Sequence, residues 1–253
     1  MTITLDSNAF GLPLLTWTAL ATIAGVLVGG GLFLRQAGAL GADRRTLYGA
    51  ALAALLCGLL GARLFHVADY YDFYAKAPFQ ALYLWNGGLS LWGGALGGLA
   101  GGLWSVRRCG LPVDRTLAAA AAPALIGLAI GRAGDFLAGE RAATATSAPW
   151  AVIYANEGAE AYAGGAGVHP VALYELLLDL AIAGGLTAWG RRLPERAVMP
   201  VALAAWAAGR FLIAFVRLDP AHLGLQQTQW ASLIVLAALA AATLRARLRE
   251  SRE

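Results

Sequence analysis

Apolar residues fall into seven long stretches of this chain, and short polar segments separate them. Each stretch is close to the roughly 20 residues that an α-helix needs to cross a bilayer. We therefore expect an all-α, polytopic membrane protein with about seven transmembrane helices, forming one transmembrane domain over residues 1–253. The predicted spans are 13–34, 46–66, 88–106, 117–138, 169–189, 198–216 and 227–246.

Basic residues concentrate in alternate connecting segments, and this asymmetry predicts an orientation. One set of segments holds thirteen arginines, whereas the opposite set holds only Lys76, Arg141 and Arg217. Because cytoplasmic loops are enriched in Lys and Arg, we expect the amino terminus outside the cytoplasm and the carboxyl terminus inside. The thirteen arginines are Arg35, Arg44, Arg45, Arg107, Arg108, Arg115, Arg191, Arg192, Arg196, Arg245, Arg247, Arg249 and Arg252.

Two of the predicted outer segments differ from the short turns. Residues 67–87 are rich in Tyr, Phe and Trp, which suits an interfacial belt or a half-buried arm on the outer leaflet. Residues 139–168 form the longest polar segment and are predicted to be a periplasmic loop.

Composition supports the membrane prediction and narrows the chemistry. Only 13% of the residues are charged, against about 25% in soluble domains. The net charge of +4 is spread over separate short turns, so no nucleic acid partner is expected. Cys57 and Cys109 lack the spacing of a metal site or a structural disulfide, and no metal or cofactor is predicted.

Three arginines, Arg63, Arg132 and Arg210, lie inside apolar stretches, each toward the predicted outer end of its helix. An arginine at the centre of a membrane helix costs roughly 2.5–3.5 kcal/mol on insertion scales. Each could reach separately for the outer headgroups. Three at similar depth favour a shared cationic pocket instead, because guanidinium groups bind phosphate through paired hydrogen bonds. The phosphate at that depth would belong to a phospholipid.

Further polar residues accompany these arginines. Asp135 and Glu140 follow Arg132 by three and eight residues, near one helix face, and Asp135 could simply neutralise Arg132. The segment HPVALYE places His169, Tyr174 and Glu175 at the start of the fifth span.

The stretches GARLFHVADYY, WNGGLSLWGG, GRAGDFLAGE, HPVALYE and GRFLIAFVRLDP together resemble the bacterial prolipoprotein diacylglyceryl transferase family. The resemblance implies seven transmembrane helices in the bacterial cytoplasmic (inner) membrane. It implies transfer of the diacylglyceryl group of phosphatidylglycerol to the lipobox cysteine of a preprolipoprotein signal peptide, with release of glycerol phosphate.

The resemblance also implies the site residues. Arg132, Gly139 and Glu140 match the signature string, whose arginine binds the lipid phosphate. Arg210 and Arg63 match the arginines of the sixth and second helices. His169, Tyr174 and Glu175 match the HPxxLYE segment.

Several family residues are replaced in this chain. Trp92 stands where the family has the histidine of an SxHGG segment, and Asp135 stands where it has the asparagine that follows the signature arginine. Trp206 replaces a tyrosine one turn before the sixth-helix arginine. Trp92 and Trp206 are predicted to line the substrate site. With the histidine replaced, Asp135, His169 or Glu140 would have to act as the base.

Three classes of function follow. The first is a diacylglyceryl transferase with the lipid phosphate among Arg63, Arg132 and Arg210. The second is a divergent paralogue that binds phospholipid without turnover, as an accessory or lipid-handling subunit. The third is a transporter or channel, which would need a polar path across the bilayer, whereas the intramembrane arginines gather at one side.

Overall fold

The computed structural model describes residues 1–4, 16–38, 41, 43–83, 88–219 and 221–250. Residues 13–15 of the first predicted span and 84–87 of the predicted aromatic loop lie outside this part. The described chain is mainly helical, with four two-residue strands and short 3₁₀ turns between the helices. The helices are α1 Trp17–Ala37, α2 Arg44–Asp69, α3 Tyr71–Lys76, α4 Leu91–Arg108, α5 Val113–Ala138, α6 Val171–Trp189, α7 Glu195–Ile213 and α8 Gln227–Glu250.

Every predicted span coincides with a long helix, so the all-α, polytopic prediction is confirmed. Within the described residues, six helical segments are long and apolar enough to cross a membrane: those of α1, α2, α5, α6, α7 and α8. The remaining predicted span corresponds to α4, whose 18 residues include six glycines and end in Arg107 and Arg108. This composition leaves α4 outside the six, so the count of seven stays a prediction, as does the orientation.

The chain separates into two compact units, one of Met1–Gly31 with Ala121–Glu253 and one of Leu32–Ala120. In the second unit, α2 and α4 pack backbone to backbone. A Cβ at Gly61 would overlap the carbonyl oxygen of Gly93, and one at Gly97 would overlap that of Cys57. Because small residues let membrane helices approach closely, the glycines of α4 serve this packing.

In the first unit, similar close contacts position the helices that carry the buried polar residues. α1 lies against α5 at Gly25 and Gly127, where a Cβ on Gly127 would come within 2.7 Å of the Gly25 carbonyl oxygen. α6 lies against α7, where Gly209 makes room for the side chain of Leu178. The part of α5 from Ala121 onward, α6 and α7 all belong to this unit.

The segment between α5 and α6 has a small core of its own. Strand β1 (Thr2–Ile3) pairs in parallel with β2 (Ile153–Tyr154). Isolated bridges join Val168 to Ala145 and Val152. The buried side chains of this core are Ile3, Ala143, Val152, Tyr154, Ala159, Ala161, Val168 and Val171. The predicted loop 139–168 is therefore an ordered cap on the first unit, although the side of the membrane on which it lies stays a prediction. Strands β3 (Ala221–His222) and β4 (Leu225–Gln226) form a hairpin before α8.

Candidate functional site

The carboxylate of Glu175 lies at the centre of a buried arginine cluster in the first unit. It pairs with the guanidinium of Arg210, lies 3.0 Å from Arg132 Nε, and accepts a hydrogen bond of 3.1 Å from Arg217. Glu175 is 1% exposed, Arg210 4% and Arg132 5%. The structure thus brings two of the three intramembrane arginines onto one carboxylate.

A second carboxylate extends the cluster. Asp135 accepts hydrogen bonds from Arg132 Nη1 at 2.6 Å and from Arg141 Nη2 at 3.0 Å. Asp135 therefore forms the ion pair with Arg132 that its three-residue spacing predicted, and adds Arg141. Both guanidinium groups donate to the same carboxylate oxygen, Oδ2, so a proton arriving there would disrupt these contacts, and Asp135 suits the role of a base poorly.

The cap fixes Arg141 and Arg217 beside these helices. The backbone amide of Thr144 donates to the Val216 carbonyl at 3.0 Å, and that of Leu218 donates to Ala142 at 3.1 Å. This extended pairing places Arg217 near Glu175, and Arg217 also contacts Asp219 at 2.7 Å.

Gly139 ends α5 just before Arg141. Its φ is +70°, and the amide of Glu140 donates back to the Asp135 carbonyl at 3.0 Å, as in a Schellman-type helix end. A Cβ at position 139 would also crowd Tyr154 and Ala159. Gly139 thus acts through backbone shape, while its predicted contact with substrate stays a prediction.

A further polar layer lies one helical turn away from the Glu175–Arg210 pair. The indole Nε1 of Trp206 donates to Asp179 Oδ1 at 3.0 Å, and Arg210 Cζ lies 5.7 Å from the Trp206 ring centroid. Asp179 is 2% exposed and Trp206 4%. Trp206 therefore keeps a hydrogen-bond donor in the buried site and packs against Arg210.

His169 and Tyr174 meet at the start of α6. His169 Nδ1 lies 3.0 Å from Tyr174 Oη, which accepts a hydrogen bond of 2.7 Å from Trp150 Nε1. The amide of His169 also donates to the Thr144 carbonyl at 3.1 Å. The half-buried His169 is thus held at both its backbone amide and its imidazole ring.

Glu140 lies beyond the end of α5 and is half-buried. Burial raises the pKa of its carboxyl above the ordinary value, and the negative charge of Asp135 adds to this effect. Burial works to lower the pKa of the neighbouring Arg141, but nearby carboxylates, Asp135 foremost, outweigh it and raise that pKa. Glu140 therefore holds its proton to higher pH than an exposed glutamate.

Two predicted site residues belong to the second unit. The guanidinium of Arg63 donates to the carbonyl oxygens of Gln80, Ala81, Tyr83 and Gly88 and lies over the ring of Tyr74. Trp92 is 4% exposed in the first turn of α4. The predictions that Arg63 shares the phosphate pocket and that Trp92 lines it stay predictions.

The arginine cluster has donors that the described protein atoms do not satisfy. Within the described residues, the buried Nε atoms of Arg141, Arg210 and Arg217 have no hydrogen-bond partner. Buried donors in folded proteins are nearly always paired, and a guanidinium offers five donors in a planar fork. Such a set suits an anion with several oxygens, of which a phosphate is the common case. No group of three or more His, Cys, Asp or Glu side chains in the described residues could hold a metal ion.

Sequence reasoning missed three members of this cluster. Arg141 and Arg217 were assigned only to the sparsely basic loops, and Asp179 was not singled out. Asp179 follows Glu175 by four residues on α6, and this helical spacing was an available signal. Arg217 lies beyond the end of α7, so helical spacing does not reveal its contact. The contact of Arg141 depends on the reversal of the chain at Gly139 and could not be read from periodicity.

Comparison with known proteins agrees with the resemblance. A family model described as prolipoprotein diacylglyceryl transferase matches residues 8–245. The phosphatidylglycerol–prolipoprotein diacylglyceryl transferase 1 of Streptomyces coelicolor is 35% identical over 244 residues, covering 93% of this chain and 70% of its own length. The enzyme of Paenarthrobacter aurescens is 34% identical over 244 residues, covering 88% and 76%. That of Geobacter sulfurreducens is 36% identical over 185 residues, covering 71% and 66%.

Proposed function

Because this chain belongs to the prolipoprotein diacylglyceryl transferase family, we propose that it transfers diacylglyceryl from phosphatidylglycerol to a cysteine thiol. The proposed acceptor is the lipobox cysteine at the signal peptide of a prolipoprotein. The proposed location is the bacterial cytoplasmic membrane, where both substrates would be reached from the bilayer. The relatives' names supply the donor and the class of acceptor.

The observation that carries this proposal is the cluster of the buried Arg132 and Arg210 with the partly buried Arg141 and Arg217. Glu175 and Asp135 hold the guanidinium groups together, while the Nε donors of three of the four have no partner among the described residues. A phosphodiester offers the oxygens that such donors accept. We therefore assign the phosphate of phosphatidylglycerol to this cluster, with Arg132 and Arg210 as its principal ligands.

The chemistry follows from where charge develops. The cysteine sulfur attacks the terminal glyceryl carbon of the diacylglyceryl group, so an S–C bond forms. The bond between that carbon and the phosphate oxygen breaks, and its electron pair stays on the departing glycerol phosphate. The thiol proton passes to a base. Fixed guanidinium groups in a site with little water stabilise the growing negative charge on the leaving phosphate.

Two candidates for the base fit the contacts better than Asp135. His169 is held by Tyr174, and a ring nitrogen of an imidazole can accept the thiol proton. The pKa of Glu140 is raised by burial, which makes it a stronger base than an ordinary carboxylate. We propose His169 as the first candidate and Glu140 as the second. Tyr174, which bonds His169, would orient the imidazole.

The experiment is reconstitution of the purified protein with phosphatidylglycerol and a lipobox peptide. Glycerol phosphate release and the peptide mass are followed together. We expect the diacylglyceryl mass increment on the peptide. Arg132→Ala and Arg210→Ala should each slow it by about 10²-fold or more, the effect of removing one charge-stabilising donor. Arg191→Ala, an exposed arginine after α6, is the control and should act as the wild type. Full activity in both cluster variants would contradict the assigned site.

One observation favours a second function, phospholipid binding without turnover. Trp92 stands at the position where the resemblance places a histidine that assists the chemistry, and an indole cannot accept the thiol proton. No product, together with copurified phospholipid that is lost in Arg132→Ala, would favour this alternative. Product formation would mean that the base lies elsewhere, and His169→Ala and Glu140→Gln would then distinguish the two candidates.

A further inference from the structure

Arg63 makes a set of contacts that a phosphate ligand would not need. Its Nε donates to Ala81 O at 2.8 Å, Nη1 to Gly88 O at 2.9 Å, and Nη2 to Gln80 O at 2.6 Å and Tyr83 O at 3.3 Å. Among the described residues, these four acceptors are all backbone carbonyls, at positions 80, 81, 83 and 88. Arg63 itself is 6% exposed.

Three of these carbonyls lie in or directly after the short 3₁₀ helix Pro78–Leu82, whose end leaves carbonyl oxygens open to other donors. The carbonyl oxygen of Gln80 accepts from Arg63 in addition to the backbone amide of Tyr83. Hydrogen bonds from a charged donor are roughly twice as strong as neutral ones. A guanidinium, with its donors spread around a plane, can serve several carbonyls at once, whereas an ammonium is a point charge.

Tyr74 and Gly88 both pack closely against the guanidinium of Arg63. Tyr74 of α3 is 8% exposed, and its ring centroid lies 5.4 Å from Arg63 Cζ. Gly88 has a φ of +77°, and a Cβ there would overlap the His66 ring and come within 2.9 Å of Arg63 Nη1. Only glycine therefore lets the chain pass this close to the guanidinium.

Gly88, the last of the residues that contact Arg63, lies three residues before the start of α4. Two residues after Gly88, the amide of Ser90 donates to the Ala62 carbonyl at 2.9 Å, next to Arg63 in α2. Helix α4 then begins at Leu91, with the buried Trp92 in its first turn. The position of Trp92 thus depends on a chain that Arg63 and its neighbour hold against α2.

We propose that Arg63 is a positioning residue, whose guanidinium anchors residues 80–83 and Gly88 to α2 and fixes the entry into α4, and that it is not a ligand of the lipid phosphate. The anchoring of the chain by Arg63 does not depend on any activity of the protein. The expected kinetic effects of Arg63 variants rest on the proposed transferase activity.

Hydrogen exchange measured by mass spectrometry on the purified full-length protein tests the anchoring without any turnover. The reporters are the amides of Gln80, Tyr83 and Ser90, which donate to Ala77, Gln80 and Ala62. In Arg63→Ala and in Arg63→Lys, we expect their exchange to accelerate about tenfold or more. Arg107→Ala, at the other end of α4 and exposed, should leave the exchange of these amides unchanged.

A milder variant keeps the test decisive where Arg63→Ala unfolds the protein. Tyr74→Leu keeps the guanidinium and removes only the ring beneath it, so we expect a smaller acceleration at the same three amides. Wild-type exchange in both Arg63→Lys and Tyr74→Leu would overturn the anchoring role.

The charge-conserving variant separates positioning from phosphate binding in the kinetics. A clamp requires the guanidinium geometry, so Arg63→Lys should lose kcat to nearly the same extent as Arg63→Ala, with the KM for phosphatidylglycerol within about threefold of wild type. A phosphate ligand predicts a raised KM in Arg63→Ala and its recovery in Arg63→Lys, and that result would overturn the proposal. A wild type without turnover would refute the proposed function, while the exchange experiment would still decide the anchoring.

Discussion

At the scale of single residues, Glu175 ties together three arginines that come from separate parts of the chain. Arg132 lies on α5, Arg210 on α7, and Arg217 beyond α7. Without a counter-charge, these buried guanidinium groups would repel one another in a medium of low dielectric constant. The same carboxylate therefore stabilises the fold and sets the spacing of the proposed phosphate ligands.

Replacing Glu175 should be costly for both reasons. Removing one partner of a buried ion cluster costs about 3–5 kcal/mol, so Glu175→Ala and the isosteric Glu175→Gln should both unfold at clearly lower temperature in detergent. Glu157→Gln removes an exposed carboxylate from the cap and serves as the control. Wild-type stability in Glu175→Gln would mean that the negative charge of Glu175 is not what holds the arginines.

Trp206 offers a test of the deeper polar layer. Trp206→Phe keeps an aromatic ring beside Arg210 but removes the donor to Asp179, leaving a buried carboxyl without that hydrogen bond. Such a loss costs roughly 1–3 kcal/mol of stability. The measurement is thermal unfolding in detergent. Trp189→Phe, the same change at a 61% exposed position, should have little effect, and equal effects of the two changes would contradict the role of the hydrogen bond.

Glu140 should give the stability of the protein a pH dependence. Its pKa in the folded state lies above the ordinary value of 4.5, so the folded protein retains a proton that the unfolded chain releases. Stability should therefore fall as pH rises from about 4.5 through the raised pKa. Thermal unfolding midpoints of wild type and Glu140→Gln across this range test the prediction, with Glu157→Gln as the control for lost charge. The same slope in Glu140→Gln as in wild type would contradict it.

Residue spacing reveals only part of the site. Arg132, Arg210, Asp135 and Glu175 were predicted as site residues, and the structure brings them together. Arg141 and Arg217 join them through a reversed helix end and a pairing between distant extended segments. Neither feature leaves a periodic signal. For Arg63 the spacing could not distinguish a phosphate ligand from a guanidinium engaged with backbone carbonyls, because both require a buried arginine near the end of a membrane helix.

At the scale of elements, the packing of α2 on α4 depends on the absence of side chains. Gly61→Ala or Gly97→Ala would force the two helices apart, because each Cβ would overlap a carbonyl oxygen of the other helix. We expect each change to destabilise the protein by roughly 1–3 kcal/mol in thermal unfolding.

The matched control for this packing lies on α2. A Cβ at Gly49 would meet no described atom within 4 Å, so Gly49→Ala should leave stability unchanged or raise it slightly, as alanine favours helix. Equal losses at positions 49 and 61 would indicate a general intolerance of alanine rather than close packing.

The helices were predictable because hydrophobic length decides them in a bilayer. The cap over 139–168 was predicted only as a polar loop, since its core is built from scattered apolar residues and two-residue strands. Its pairing with the amino-terminal strand joins residues that are about 150 positions apart, and a local pattern carries no information on such a contact.

At the scale of the whole molecule, the seven apolar stretches predict the number of crossings, and the contrast between thirteen and three basic residues in alternate segments predicts the orientation. The number of crossings depends on α4, which has the length of a span but falls outside the six apolar segments found among the described residues. Close packing against α2 compensates for its many glycines, because backbone contacts replace side-chain burial. We therefore expect α4 to cross the membrane.

Labelling of single cysteines with a membrane-impermeant maleimide tests this topology. Cys109 is exposed just after α4, and Lys76→Cys would place a thiol at an exposed position between α2 and α4. Each is studied alone, with Cys57 replaced by alanine in both and Cys109 replaced by alanine in the Lys76→Cys protein. We expect position 76 to react from outside the cell and Cys109 only in inverted vesicles.

The two positions distinguish orientation from crossing. Position 76 follows two spans under either count, so its side reports the orientation alone, and an internal position 76 would reverse the predicted orientation. Cys109 lies on the side opposite to position 76 only if α4 crosses. Labelling of both thiols from one side would therefore reduce the protein to six spans and place its two ends on the same side of the membrane. Labelling from opposite sides would establish that a glycine-rich helix, held by its neighbour, spans the bilayer.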